Sequence, residues 1–289
     1  MPTPRTPDAI LSLPRLLALT ALAMLAFAGN SLLCRAALMD ASIDPASFTT
    51  LRLGSGALML GILGLRRKHG PGVGGSWISA LALFVYAAGF SMSYVSLSAA
   101  TGALLLFGAV QITMIVAGLA MGERLRAAQV AGLLLATGGL LGLLLPGLSR
   151  PPLIGALWMI AAGTAWGVYS LRGRGGGDPI WTTAGNFLRA VPFAVALSLV
   201  QHDAIRVAPD GIAYATASGA LASACGYAIW YTVLPWLKAA QAATVQLSVP
   251  VLAGVAGVLL LGESLSLRLG LTAMAILGGI ALVLVARRQ

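Results

Sequence analysis

Charged side chains are scarce in this chain, and acidic ones are the scarcest. Of 289 residues, 9% are charged, and there are eight Asp and Glu, two His and two Cys. Acid/base catalysis and metal binding depend on these residue types, and neither an HExxH nor a GxSxG motif occurs. We therefore expect no enzyme, no metal site and no cofactor. Cys34 and Cys225 fall within apolar runs, so we expect two small core residues rather than a disulfide.

Hydrophobic residues take the place of the missing charges. They make up 58% of the chain, and the mean hydropathy is +0.92, which is typical of a protein embedded in a lipid bilayer. About 20 apolar residues are needed for a helix to cross a bilayer. Ten such runs cover residues 13–36, 46–65, 77–97, 100–121, 127–146, 153–171, 180–200, 211–234, 240–261 and 267–286. Membrane strands would alternate apolar and polar residues, which these runs do not, so we predict an all-α polytopic membrane protein with ten transmembrane helices.

The basic residues indicate how the chain is oriented in the membrane. The formal net charge is +10 and the sequence pI is about 10.6. With a cytoplasmic N-terminus, twelve Lys and Arg fall in cytoplasmic segments against three outside, Arg150, Arg206 and Arg268. This bias predicts two cytoplasmic termini in a bacterial inner membrane, with anionic lipid headgroups rather than nucleic acid attracting the excess charge. Cleavage of a signal peptide near residues 26–28 would leave nine spans and reverse this orientation, so we reject it.

One short phrase occurs twice, as MGERL at residues 121–125 and LGESL at residues 261–265. An offset of 140 residues aligns the two phrases and the double glycines that follow them, Gly138-Gly139 and Gly278-Gly279. An offset of 137 residues aligns the second span with the seventh. We therefore predict two five-span repeats, residues 1–146 and 147–289. Because five is odd, the second repeat is inverted in the membrane, which is the usual construction of secondary transporters.

A family resemblance rests on these features. The ten-span layout, the two GE.L loops with a double glycine in the next span, and FTTLRLGSGA in the second span resemble the drug/metabolite transporter superfamily, EamA type. The segments GNSLLCRAAL and FTTLRL are similar to bacterial aromatic amino-acid exporters. The proline that the family places in the ninth span is present as Pro250, whereas the equivalent position in the fourth span is Val110. The resemblance covers nearly the whole chain and implies a transporter of small molecules.

Polar side chains inside the predicted spans are candidate substrate ligands, because each is costly in a bilayer unless it faces a cavity or a partner. They are Asn30, Ser31, Arg52, Gln111, Asn186, Arg189 and Gln246. The two arginines either bind backbone carbonyls and loop acids such as Asp44 and Asp178, or attract a substrate carboxylate. No Asp or Glu lies in mid-span, so proton coupling is not expected, and we expect the loop glutamates, Glu123 and Glu263, to pair or to cap a loop.

Aromatic residues form two faces at helical spacing. Tyr86, Phe90 and Tyr94 recur every four residues in the third span, and Tyr227 and Tyr231, with Trp230 beside them, recur in the eighth. Because the two spans are repeat mates, we predict that the faces oppose each other and stack a flat or apolar side chain. Ordinary helix packing or an interfacial belt is the alternative. The next candidates are Trp166 and Tyr169, with Phe27 in the first span.

These features predict an exporter of small metabolites that works by alternating access, with apolar or aromatic amino acids as its substrates. An antiporter of anionic metabolites, such as sugar-nucleotides or phosphate esters, is one alternative, but it would need several cationic groups in the cavity. A membrane scaffold without transport activity is another. The expected partners are the small-molecule substrate and the lipid bilayer, and the expected form is a monomer.

Overall fold

The computed structural model describes residues 12–65, 74–120, 127–145, 151–173, 178–237 and 245–286, and these residues are almost entirely helical. The helices are α1 (Leu13–Met39), α2 (Pro45–Leu65), α3 (Trp77–Tyr94), α4 (Ala99–Ala120), α5 (Ala127–Leu144), α6 (Leu153–Arg172), α7 (Pro179–Val200), α8 (Pro209–Val233), α9 (Ser248–Leu261) and α10 (Leu267–Ala286). Within these ranges there is no strand, and one isolated β-bridge joins Ile43 to Val207. The all-helical prediction is therefore confirmed.

Seven of the described helices are long and apolar enough to cross a membrane, namely α1 to α4 and α6 to α8. The apolar parts of α5, α9 and α10 are shorter. Large apolar side chains such as Leu65, Leu259 and Leu267 point outward, as expected of a surface that faces lipid. α3 ends at Tyr94, within a few residues of the predicted bound at 97, and α9 is described from Ser248, with Pro250 in its first turn, where a missing N–H is tolerated.

Short connections hold the helices together at two ends of the bundle. We call the end at which α1 finishes the distal end. There, Asp44 and Arg206 exchange backbone and side-chain hydrogen bonds of 2.8 and 3.0 Å, which join the α1–α2 and α7–α8 connections. We call the opposite end the proximal end, where α6 finishes and α3 and α7 begin. Its contacts include the bond from the Arg172 guanidinium to the Ser79 hydroxyl, 3.2 Å long.

The double glycines lie where the last helices of the two repeats meet. A Cβ on Gly139 would come within 2.9 Å of Ile276, and one on Gly279 within 2.5 Å of the Gly132 carbonyl oxygen. Gly138 and Gly278 have open space around them. One glycine of each pair therefore allows α5 and α10 to approach closely, as small residues do between membrane helices.

The contacts between helices recur when the two halves are exchanged. The repeat mates α2 and α7 pack on each other, as do α5 and α10. The contact of α3 with α6 has its counterpart in α1 with α8, and that of α4 with α6 in α9 with α1. The helices α1, α2, α3, α4, α6 and α8 therefore converge at the centre of the bundle, where the buried polar side chains of Asn30, Arg52, Ser218 and Ser223 lie.

Candidate functional site

Arg52 is the most unusual residue at the centre of the bundle. It lies two turns into α2 and only 1% of its surface is exposed. Its Nη2 donates to the Tyr86 hydroxyl at 2.9 Å, its Nε donates to the Ser223 hydroxyl at 3.2 Å, and its guanidinium lies 4.8 Å from the Phe90 ring centroid. Its Nη1 has no hydrogen-bond partner among the described residues. No Asp or Glu in the described part of the chain lies within ion-pair distance of Arg52, so this buried charge is not neutralised by the protein groups seen there.

Helix α8 reaches Arg52 through an unusual segment. Residues Ser218–Cys225 are wound as a π-helix. In an α-helix, residues five apart are turned from each other by about 140°, whereas i to i+5 winding brings them close to one face. Both Ser218 and Ser223 consequently face the centre, where Ser218 donates to the Asn30 side chain at 2.6 Å and Ser223 accepts from Arg52. The π-helical winding therefore supplies two polar contacts that regular α-helical winding would separate.

Aromatic side chains surround a small cavity beside Arg52. The lining residues are Phe27, Asn30, Ser31, Tyr86, Phe90, Leu106, Phe107, Trp166 and Tyr227. The Trp166 ring lies between the two predicted faces, with ring centroids 4.8 Å from Tyr86 and 5.0 Å from Tyr227. The cavity volume is about 20 Å³, which is enough for about one water molecule. The Tyr227 hydroxyl is buried and, like the Arg52 Nη1, makes no hydrogen bond to the described residues.

Only part of each predicted aromatic face reaches this cavity. In α3, Tyr94 lies beyond the lining and packs edge-on against Phe90 with ring centroids 4.7 Å apart. In α8, the Trp230 ring packs edge-on against Phe27 with centroids 6.0 Å apart, and neither Trp230 nor the half-buried Tyr231 lines the cavity. Intervals of four therefore located the two faces, but the depth of each aromatic residue along its helix decided which ones line the cavity.

Three of the predicted polar candidates, Asn186, Gln111 and Gln246, lie away from the cavity, as does Arg189. The Asn186 side chain accepts from the Ser76 backbone N–H at 2.9 Å and donates to the Tyr169 hydroxyl at 3.4 Å, which places this pair at the proximal end. Gln111 is buried in α4, and Gln246 is half-buried just before α9, but neither lines the cavity. Of the polar set, Asn30, Ser31 and Arg52 are therefore the ones that the structure brings together.

The two predicted arginines have different roles. Arg189 donates from Nη1 to the Gly74 carbonyl oxygen at 2.7 Å, which is the backbone-binding alternative. Arg52, by contrast, donates to the side-chain hydroxyls of Tyr86 and Ser223 rather than to a backbone carbonyl or a loop acid. The loop acids that were considered as partners, Asp44 and Asp178, instead accept hydrogen bonds from the backbone N–H groups that begin α2 and α7. Arg52 therefore has no acidic partner among the described residues.

The sequence analysis missed one ion pair, because Arg35 lies near the end of an apolar run and was not among the polar candidates. The Arg35 Nε donates to Glu263 Oε1 at 3.0 Å at the distal end. Glu263 therefore has the pairing and capping role that was predicted for the loop glutamates, while Glu123 lies outside the described residues. The repeated GE phrase indicated that Glu263 has a structural role, but the sequence alone did not identify Arg35 as its partner. Among the described residues no group of three His, Cys, Asp or Glu could hold a metal ion.

Comparison with known proteins agrees with this architecture. The profile of the EamA-like transporter family matches the chain twice, over residues 15–145 and 153–285. The chain belongs to the EamA-like transporter family. An uncharacterized protein of Pseudomonas aeruginosa is 62% identical over 274 residues, which is 94% of this chain and 96% of that protein. A solved crystal structure that is 21% identical has a TM-score of 0.67 and covers 96% of this chain and 100% of its own, which shows the fold alone.

Membership of the EamA-like transporter family gives the coarse function. The chain is a multi-pass membrane protein of a two-repeat family of small-molecule transporters, and that family is not one of enzymes. The cavity next to Arg52 lies between helices of both matched halves, since its lining helices α1, α3 and α4 belong to the first and α6 and α8 to the second. It is therefore the candidate site for a transported molecule in this EamA-like protein.

Proposed function

We propose that this protein exports apolar or aromatic amino acids across a bacterial inner membrane by alternating access. Ten spans arranged as two inverted repeats, residues 1–146 and 147–289, with both termini in the cytoplasm, form the framework of this proposal. The twelve-to-three distribution of basic residues supports the orientation. The recurrence of helix contacts on exchange of the halves supports the inverted pairing.

The observation that carries the substrate class is Arg52. Its guanidinium is buried and positive, its Nη1 is unpaired among the described residues, and it contacts Tyr86 and Phe90 of the aromatic cavity wall. A substrate carboxylate would neutralise this charge and accept the free N–H, since guanidinium geometry suits carboxylates. Tyr86, Trp166 and Tyr227 would then contact the substrate side chain by stacking.

The size of the cavity requires movement. About 20 Å³ admits about one water molecule, and an amino acid is several times larger. The helices that line the cavity must therefore separate before a substrate binds, which alternating access provides at one end of the bundle at a time. The described structure thus corresponds to a contracted form of the cavity.

Flux into liposomes tests this function. Purified protein in liposomes should carry radiolabelled Phe, Trp and Met faster than Ala and Ser, and unlabelled Phe inside should accelerate uptake of labelled Phe. The matched control is Arg52→Gln, in which the buried positive charge is removed while a polar side chain remains. Equal flux through wild-type protein and protein-free liposomes for all five amino acids would contradict amino-acid transport. Exchange of a sugar-nucleotide or phosphate ester instead would favour the anionic-metabolite alternative.

Transport should not require a proton gradient. In the described part of the chain no carboxylate lines the cavity, and Glu263 is paired with Arg35. Downhill flux should therefore be independent of an imposed pH difference. The proposal of facilitated flux would be wrong if a pH difference drove uptake against a concentration gradient and Glu123→Gln or Glu263→Gln abolished that drive.

Reporter fusions test the orientation. A C-terminal reporter that is active only in the cytoplasm should be active, because the basic residues predict a cytoplasmic C-terminus. Activity of a periplasm-specific reporter at the same position would contradict the orientation and the inverted pairing together.

A further inference from the structure

The ion pair of Arg35 and Glu263, together with the backbone groups that it binds, forms a cluster that joins the ends of four helices at the distal end. Arg35, near the end of α1, donates from Nη1 to the carbonyl oxygens of Tyr94 at 2.9 Å and Val95 at 3.1 Å, where α3 finishes. Its Nε donates to Glu263 in the α9–α10 connection. Glu263 in turn accepts from the Ala99 backbone N–H, the first of α4, at 2.8 Å. One ion pair thus links the ends of α1, α3, α4 and α9.

Each charged side chain of this cluster binds a helix end whose partial charge is opposite to its own. The end of α3 carries partial negative charge and binds the Arg35 cation, while the start of α4 carries partial positive charge and binds the Glu263 anion. The backbone supports the arrangement, because Gly262 ends α9 in the left-handed conformation (φ +64°) and turns Glu263 back toward α4. The Glu263 side chain is only 8% exposed, so water screens the pair weakly.

The cluster lies directly above the cavity. Asn30 and Ser31 line the cavity, and Cys34 follows them by three to four residues on the same face of α1, completely buried. Arg35 is the next residue, about 6 Å along the helix axis from Ser31. A path from the distal end to the cavity between α1 and the ends of α3, α4 and α9 must therefore break the bonds of Arg35 and Glu263.

We propose that the Arg35–Glu263 pair is a latch that holds the distal end of the transporter closed. Opening of this end requires the pair to separate, and loss of the pair shifts the population toward the distal-open form. The inference that this end faces the periplasm rests on the proposed function and its orientation, whereas the latch itself rests on the geometry alone. At the proximal end, the described partners of Arg172 are the Ser79 and Ser76 hydroxyls.

Cys34 provides a natural reporter of latch opening. In a Cys225→Ala background, Cys34 is the one remaining thiol, and a membrane-impermeant maleimide should label it slowly from the distal side. Arg35→Gln and Glu263→Gln should each raise this rate by about tenfold or more, since each removes one charge of a buried hydrogen-bonded pair. In Glu263→Gln, the amide oxygen can still accept from the Ala99 N–H. This variant should therefore fold even if Arg35→Gln does not, and it keeps the proposal testable. Cys34 in the double variant, Arg35→Gln with Glu263→Gln, should be labelled no faster than in the faster single variant, because either substitution alone already removes the ion pair.

The control is Arg268→Gln, which removes a cation at the same end that binds only the Gly142 and Leu145 carbonyls among its described partners. Its labelling rate should equal that of the parent. Unchanged labelling in folded Glu263→Gln, or equal acceleration in Arg268→Gln, would overturn the latch. Sealed vesicles of both orientations separate the two proposals. Fast labelling only in inside-out vesicles would retain the latch and overturn the orientation, and hence the proposed direction of export.

Discussion

Arg52 and Arg189 occupy equivalent places in the two halves, yet their described partners differ. An offset of 137 residues relates one to the other. In the first half, Arg52 donates to the side-chain hydroxyls of Tyr86 and Ser223. In the second half, the described partners of Arg189 are the backbone carbonyls of Gly74 and Gly185. Repetition of a sequence therefore places a residue without fixing what it binds.

The connections between helices explain part of this difference. The segment before α3 brings the Gly74 carbonyl against Gly185 so closely that a Cβ there would not fit, and Arg189 binds that carbonyl. Around Arg52 the neighbour is instead the π-helical part of α8, where Gly219 lies against the Arg52 backbone and Ser223 faces the guanidinium. The same residue type is thus satisfied by backbone in one copy and left partly unpaired in the other.

The largest expected effect separates Arg52 from Arg189. Arg52→Gln should reduce amino-acid flux in liposomes by about 10- to 150-fold, which corresponds to about 1.5 to 3 kcal/mol for hydrogen bonds to a charged group. Arg189→Gln should stay within about threefold of wild type. Melting temperatures in detergent identify variants that are merely unfolded. Equal losses in two folded variants would remove the distinction between the arginines.

The next effect tests the packing of the two copies against each other. Gly279→Ala should destabilise the protein by about 1 to 3 kcal/mol, because the new methyl group meets the Gly132 carbonyl and the Ala136 backbone. Gly278→Ala, one residue away in open space, should melt at or above the wild-type temperature. Thermal unfolding in one detergent compares them. A lower melting temperature for both would mean that close approach is not the reason for the glycine.

A smaller effect compares two tyrosines one turn apart in α8. Tyr227→Leu should weaken apparent affinity for Phe or Trp by about two- to thirtyfold, because stacking contributes about 0.5 to 2 kcal/mol. The same substitution at Tyr231, which does not line the cavity, should leave the ratio of Phe to Ala transport unchanged. Competition assays measure both ratios. Uniform loss for all substrates in folded Tyr227→Leu would assign Tyr227 to packing.

The smallest effect concerns the π-helical segment. Ser223→Ala removes the acceptor for the Arg52 Nε and should reduce flux by about two- to twelvefold, in line with about 0.5 to 1.5 kcal/mol for one hydrogen bond. Ser55→Ala serves as the control, since its hydroxyl donates only to carbonyls among its described partners. If both variants transport like wild type, the contact of Ser223 with Arg52 does not contribute to substrate binding.

The sequence by itself determined the properties that depend on local composition and period. Apolar runs predicted membrane helices, the doubled GE phrase predicted two repeats, and spacing by four placed Tyr86, Phe90 and Tyr227 on helix faces. Only the tertiary structure decided the pairing of Arg35 with Glu263, 228 positions away, and the exclusion of Tyr94 and Trp230 from the cavity wall. It also decided which arginine would remain partly unpaired. The reason is that periodicity gives a direction around one helix, whereas partners depend on the depth, winding and connections of several helices packed together.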